Sequence, residues 1–177
     1  MRLHEIKNDL LRHFLATLAY RERKAIVGAP AGFAGFDVGH GVRTPVEIVS
    51  HMSGVLTHAY SFFGPGETRK PQIGSWEQEV ERFFQILSAL DRSLELHMEV
   101  KGRNQEQLLQ GPLADTMTHV GQLAMLRRMA SSPIPKESFD KLRSESVKSL
   151  FVVWKDRVRL AHETHAIRYL QYPNRQN

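Results

Sequence analysis

None of the 177 residues is a cysteine, so the chain has no disulfide, no thiolate metal ligand and no cysteine nucleophile. Any metal site must be built from His, Asp, Glu and water. Long apolar runs are also missing, and none approaches the roughly 18 residues that a membrane-spanning helix needs. No membrane association is expected. The first residues, MRLHEIKNDLL, carry charges where a secretory leader has its apolar segment, so a cytoplasmic protein is expected. There is no internal repeat, low-complexity tract or clear linker, and the length suits one domain spanning 1–177.

What is present is a balanced globular composition, 41% hydrophobic and 24% charged, with a net charge of +5. That charge is uneven. From Arg127 onward there are 11 Lys/Arg against 5 Asp/Glu, whereas residues 1–126 hold 13 against 14. A basic C-terminal third can attract nucleic acid or another anion. No RNP, zinc-finger or KH-like motif supports nucleic-acid binding, and a solvated helix face is the favoured reading.

Hydrophobic spacing predicts helices near 3–27, 44–63, 75–99 and 111–130. In the first, Leu3, Ile6, Leu10, Phe14 (or His13), Leu18 and Ala25 recur at helical intervals, ending at Gly28 and Pro30. A Gly-rich connection follows, with Phe33 and Phe36 expected against the bundle; its glycines are too irregular for a nucleotide fingerprint. His40 lies in this loop and is expected to be exposed. Thr44, Pro45 and Glu47 start the second helix as an N-cap, a first-turn proline and the partner of a capping box. Ile48, Met52, Val55, Ala59 and Phe62 form its apolar stripe, widened by Val49, Leu56 and Phe63. Ser50, Ser53, Gly54, Thr57 and Ser61 are placed opposite. Ser75 caps the third helix, whose core face is Trp76, Val80, Phe83, Phe84, Leu87, Leu90, Leu94 and Met98. Glu77, Glu79 and Glu81 crowd its first turns, where the helix dipole favours them. Lys101–Gln110 is a polar connector with room for a helical turn. Gly111 and Pro112 open the fourth helix, with Leu113, Met117, Val120 and Ala124 as its apolar line. A mainly helical C-terminal extension is expected over about 136–172, with its helix at about 145–171. There Val147, Phe151, Trp154, Val158, Ala161, His165, Tyr169 and Tyr172 share one helical line, although LFVVW on its own equally suits a short strand.

Two stretches carry the chemistry. His51 and His58 fall together at the border of the second helix's stripe. Asp115, His119 and Gln122 stand at i, i+4 and i+7 on the fourth. An i, i+4 pair can grip one ion from one helix, and a third ligand must come from a neighbour. His51 is the natural partner of Asp115 and His119. His51 and His58, seven residues apart, are separated by about 10 Å along the axis and cannot both bind that ion. His162 and His165, in AHETHA, have the wrong spacing with Glu163 for a zinc-protease motif. Gln122 suits a supporting or helix-contact role. Arg127 and Arg128 can either receive an anionic substrate or complement the end of their helix.

TPVEIVSHM resembles the Ser/Thr-Pro-x-x-x-x-x-His element of the DinB/YfiT-like superfamily, and HVGQLAMLRR resembles its His-x-x-Gln-hydrophobic element. The resemblance covers most of residues 1–130. It implies an all-α, up-down-down-up four-helix bundle, a homodimer and a divalent transition metal, zinc or nickel before manganese or iron. It carries over His51 and His119 directly. The family's third ligand is usually histidine, and here Asp115 takes that position. The implied activity is metal-dependent activation of a low-molecular-weight thiol for transfer to a small electrophilic substrate. Hydrolysis by metal-bound water and a non-catalytic, stress-related binding protein are the alternatives.

Overall fold

The computed structural model describes residues 3–64 and 72–136. Among them the chain is all-helical, with four main helices and four short helical pieces, Phe33–Gly35, Ser61–Phe63, Gln105–Leu108 and Leu109–Leu113. Helix α1 is Leu3–Ile26, α2 is Pro45–Tyr60, and α3 is Trp76–Glu95. A short α4, Gln105–Leu108, runs through a π-helical turn, Leu109–Leu113, into α5, Ala114–Met129. The expected C-terminal extension, with His162 and His165, lies outside the described residues.

Helices α2 and α3 begin where their caps predict. The Glu47 carboxylate accepts from both the backbone N–H and the hydroxyl of Thr44, each at 2.8 Å. Those bonds hold its pKa below the usual carboxylate value. At α3, Ser75 N–H donates to the Gln78 side chain at 2.8 Å, and Gln78 N–H returns to the Ser75 hydroxyl at 3.3 Å. The α3 core face is largely as the spacing predicts: Val80, Phe83, Phe84, Leu87, Leu90 and Leu94 are buried. The helix ends earlier than expected, at Glu95. His97 adopts a left-handed φ of 52°, and Met98 N–H bonds back to Ser93 C=O at 3.0 Å. That reversal satisfies the last carbonyls and leaves Met98 on the surface.

Leu18 and Ala25 of the expected line on α1 are buried, but its first half is not. Leu3 and Leu10 are 67% and 61% exposed, and Ile6 is exposed with them. The buried face is Asn8, Leu11, Leu15, Leu18, Ala19, Glu22 and Ala25. Two apolar stripes compete on this helix, and the more continuous one turns inward. Asn8 is tolerated there because its amide donates to Leu94 C=O at 3.2 Å and accepts from Gln105 at 3.3 Å. Arg12 pairs with Asp91 and Glu95 on the same side, which raises the Arg12 pKa.

Helix α2 is wrapped more fully than its stripe predicts. Ser50 and Ser53, placed opposite the core by spacing, are buried. Small size permits this, and the Ser53 hydroxyl is satisfied by Val49 C=O one turn back at 2.9 Å. In the loop before α2, Phe33 is buried edge-on to Trp76, with ring centroids 6.1 Å apart, and Phe36 packs against the core. The helical path to α5 also starts earlier than expected. Asn104 caps α4 by accepting Gln107 N–H at 2.8 Å, so helical structure begins within the expected connector. Gly111 and Pro112 lie inside the π turn rather than at the helix start.

Candidate metal centre

The π turn matters because it sets the rotation of everything after it. A five-residue wide turn inserts an offset into the 3.6-residue repeat, and such insertions recur at functional sites. Pro112 lacks an N–H, so it cannot serve a regular helical ladder at that point. Its carbonyl accepts the Thr116 hydroxyl at 2.8 Å. The buried face of α5 is then Thr116, His119, Val120, Leu123, Leu126 and Arg127. The expected line of Met117 and Ala124 turns only partly inward. His119 goes into the bundle instead.

His51, Asp115 and His119 are brought together. One potential ligand atom from each lies within 4.8 Å of the other two. Asp115 Oδ2 stands 3.7 Å from His51 Nε2 and 3.6 Å from His119 Nδ1. The two imidazole centroids are 4.6 Å apart, with the rings inclined by 53°. The group is graded in exposure: the His119 side chain is 9% exposed, His51 34% and Asp115 46%. It therefore opens to solvent on the Asp115 side.

The donor set fits a divalent transition metal. Two ligands about 2.1 Å from a tetrahedral ion are themselves about 3.4 Å apart, within reach of side-chain rotation from these positions. His119 Nδ1 is 2.8 Å from Asp115 C=O. A carbonyl only accepts, so Nδ1 carries the proton and the Nε2 lone pair remains for an ion. A backbone partner of this kind fixes both tautomer and ring orientation in metal-binding histidines.

Neighbouring residues position His51, and spacing alone does not identify them. Arg82 on α3 donates to the Ser50 hydroxyl at 3.1 Å and pairs with Glu79, which is almost wholly buried. Glu79 also accepts Gly74 N–H at 2.7 Å. Loop, α3 and α2 are thus tied together one residue from His51. The pattern Glu79-x-x-Arg82 is the one visible trace, since an i, i+3 pair of opposite charge is ordinary on any helix.

The remaining candidates fall elsewhere. His58 is exposed and meets Phe62 edge-on at 5.0 Å. His40 is exposed in its loop with a left-handed φ of 57°. Gln122 and Arg128 face solvent. Arg127 is buried and spends its guanidinium on protein carbonyls: Ala25 and Gly28 at 2.9 Å and Val27 at 3.2 Å. It closes the end of α1, a role that neither expectation for it contains. No family model, curated protein or solved structure matches the chain.

Proposed function

We propose that this protein is a DinB-like, metal-dependent enzyme of thiol S-transferase type, with His51, Asp115 and His119 holding a divalent transition metal. The observation that carries the reading is the convergence of these three side chains from two helices within 4.8 Å. The helix order of a DinB-like bundle is supported by paired contacts. Asn8 meets Leu94 while Arg12 meets Asp91, as in helices running oppositely. Ser50 meets Arg82, and Phe62 C=O meets Lys101 just past α3, as in helices running together. Lys7 meets Glu106 and Ala25 meets Arg127, again as in a parallel pair. These pairings support the up-down-down-up order.

A bound ion would supply Lewis-acid chemistry, lowering the pKa of a thiol or water so that a nucleophile forms at neutral pH. His119 offers a lone pair whose direction is set by the Asp115 carbonyl. Asp115 contributes one negative charge, so the protein ligands leave a divalent site at +1. That residual charge favours an incoming thiolate. Asp115, the most exposed of the three, stands where a small molecule enters.

The full-length protein should bind one equivalent of zinc or nickel by mass spectrometry after reconstitution. It should then consume a low-molecular-weight thiol with a panel of small electrophiles, in a metal-dependent manner. Metal-dependent ester or amide cleavage without thiol loss would replace transfer with hydrolysis. No bound metal after reconstitution would leave a non-catalytic bundle. The homodimer implied by the resemblance belongs to the same proposal, and light scattering measures it directly.

A further inference from the structure

The line that carries His51 continues toward the C-terminal end of α2. His51, Val55, His58 and Phe62 recur at i, i+4, i+7 and i+11, so they share one side of the helix and of the short turn that extends it. The π turn that precedes Asp115 packs against the same helix. Asp115, Gly111 in that turn and His58 are all exposed, so this side of the bundle is open from the metal group to the end of α2. Arg103 stands at the far end. Its guanidinium lies over the Phe62 ring, 5.8 Å from the centroid, and His58 meets the same ring edge-on at 5.0 Å. The Lys101 N–H donates to Phe62 C=O at 2.8 Å, which ties the loop carrying Arg103 to the end of α2. Between them Gly102 turns the chain with a left-handed φ of 66°. Arg103 is exposed and pairs with no carboxylate among the described residues. Within the protein, one of its N–H groups reaches Gly102 C=O at 3.4 Å. A guanidinium held over a ring keeps its remaining in-plane donors for a planar acceptor.

We infer that Arg103 selects the thiol, and that the cosubstrate is a peptide-sized thiol bearing a carboxylate at the end remote from its sulfur. The inference rests on the metal-and-thiol reading above and names the substrate class of that site. The carboxylate pairs with Arg103, whose fork of donors matches its two oxygens, while the sulfur lies at His51, Asp115 and His119. Length decides which thiols qualify. His51 and His58 are about 10 Å apart along α2. An extended chain covers at most about 3.6 Å per residue, so a tripeptide-sized thiol bridges that span and a single amino acid does not. A neutral thiol of the same length lacks the pairing with Arg103.

The test follows thiolate binding to cobalt(II)-loaded full-length protein by its near-ultraviolet charge-transfer absorbance, with glutathione and glutathione dimethyl ester as probes. Glutathione should half-saturate the protein at about fivefold lower concentration than the ester, the size expected of one solvent-accessible ion pair. Arg103→Gln should bring the two together by weakening glutathione and leaving the ester unchanged. Arg128→Gln makes the same charge change on an exposed arginine near the C-terminal end of α5, and it should keep the preference of the parent. Equal half-saturation by the two probes in the parent would overturn the assignment, as would a preference unchanged in Arg103→Gln. An equal loss of preference in Arg128→Gln would overturn it too, making net charge the cause. A protein that shows no thiolate band with either probe would overturn the metal-and-thiol reading, and this inference with it.

Discussion

Arg127 and Glu22 are both buried, 3% and 0% exposed, and Arg127 meets α1 at Ala25, one turn beyond Glu22. Arg127 donates five hydrogen bonds, to Ala25, Val27, Gly28 and twice to Ser132. Glu22 has no hydrogen-bond partner for either carboxylate oxygen. Burial pushes its pKa up to about 8. The contrast teaches how this bundle handles desolvation. A cation is kept where the open carbonyls at the end of α1 surround it, and an acid with no donors is kept neutral.

The largest expected effect comes from breaking the satisfied side. Arg127→Ala leaves five acceptors at the end of α1 and at Ser132 without this donor, and each orphaned buried acceptor costs about 1–3 kcal/mol. Denaturant unfolding should show a loss of at least about 3 kcal/mol. Arg127→Lys should recover only part of it, because an ammonium cannot span the same fork. A loss below about 1 kcal/mol would mean that the guanidinium does not clasp α1.

Glu22 should give a smaller effect per pH unit than the loss of Arg127, and its signature is a slope against pH. Its folded pKa is raised, so between the unfolded value near 4.5 and about 8 the unfolded state is ionised while the folded state holds the proton. Stability therefore falls as pH rises through that window, by up to about 1.4 kcal/mol per pH unit from this group. Glu22→Gln removes the titration, and its unfolding free energy should lose that slope between pH 5 and 8. An identical slope in parent and variant would show that Glu22 is ionised and partnered in the folded protein.

The same contrast explains what could be read from the residues in order. Helices α2 and α3 were legible because Thr44 with Glu47, and Ser75 with Gln78, mark their starts by local bonds. Their apolar stripes also have few rivals. On α1, the Leu3, Ile6 and Leu10 part of the expected line competes with Leu11, Leu15 and Ala19, and the second hides Asn8 and Glu22 among its members. Period alone cannot rank two apolar faces when the winning one carries polar residues. Asn8 is acceptable inside only because Leu94 and Gln105, far along the chain, supply its partners. Arg127 likewise needs carbonyls about a hundred residues earlier, and nothing local announces that role. On α5, Leu113 and Val120 of the expected line are buried, whereas Met117 and Ala124 turn only partly inward after the π turn. The metal group survived that insertion because Asp115 and His119 lie on the same side of it, so their one-turn spacing is untouched. His51 came from the resemblance and from its border position, both of which are local.

The smallest expected change in stability belongs to Asp115, and it sharpens the comparison because its effect on metal should be the opposite of small. Asp115 is the most exposed member of the group, and its contacts of 3.6 and 3.7 Å with the histidines are long. Long polar contacts from a half-exposed carboxylate contribute about 0–1 kcal/mol, so Asp115→Ala should leave the metal-free protein almost as stable as the parent. With metal the two should separate. Removing one of three protein ligands should lower affinity well beyond the roughly 10–100-fold that loss of a supporting residue causes. Asp115→His should retain metal, because an imidazole at that position supplies a third nitrogen donor. His58→Ala should bind as the parent does, since His58 is two turns from His51 and packs on Phe62. Bound metal is measured by mass spectrometry on variants whose folding is checked by circular dichroism. Full occupancy in Asp115→Ala would remove the carboxylate from the ligand set and leave the two histidines to find a donor elsewhere. Loss of metal with thiol-transfer activity intact would separate the site from the chemistry, and the proposed function would fall while the binding site stood.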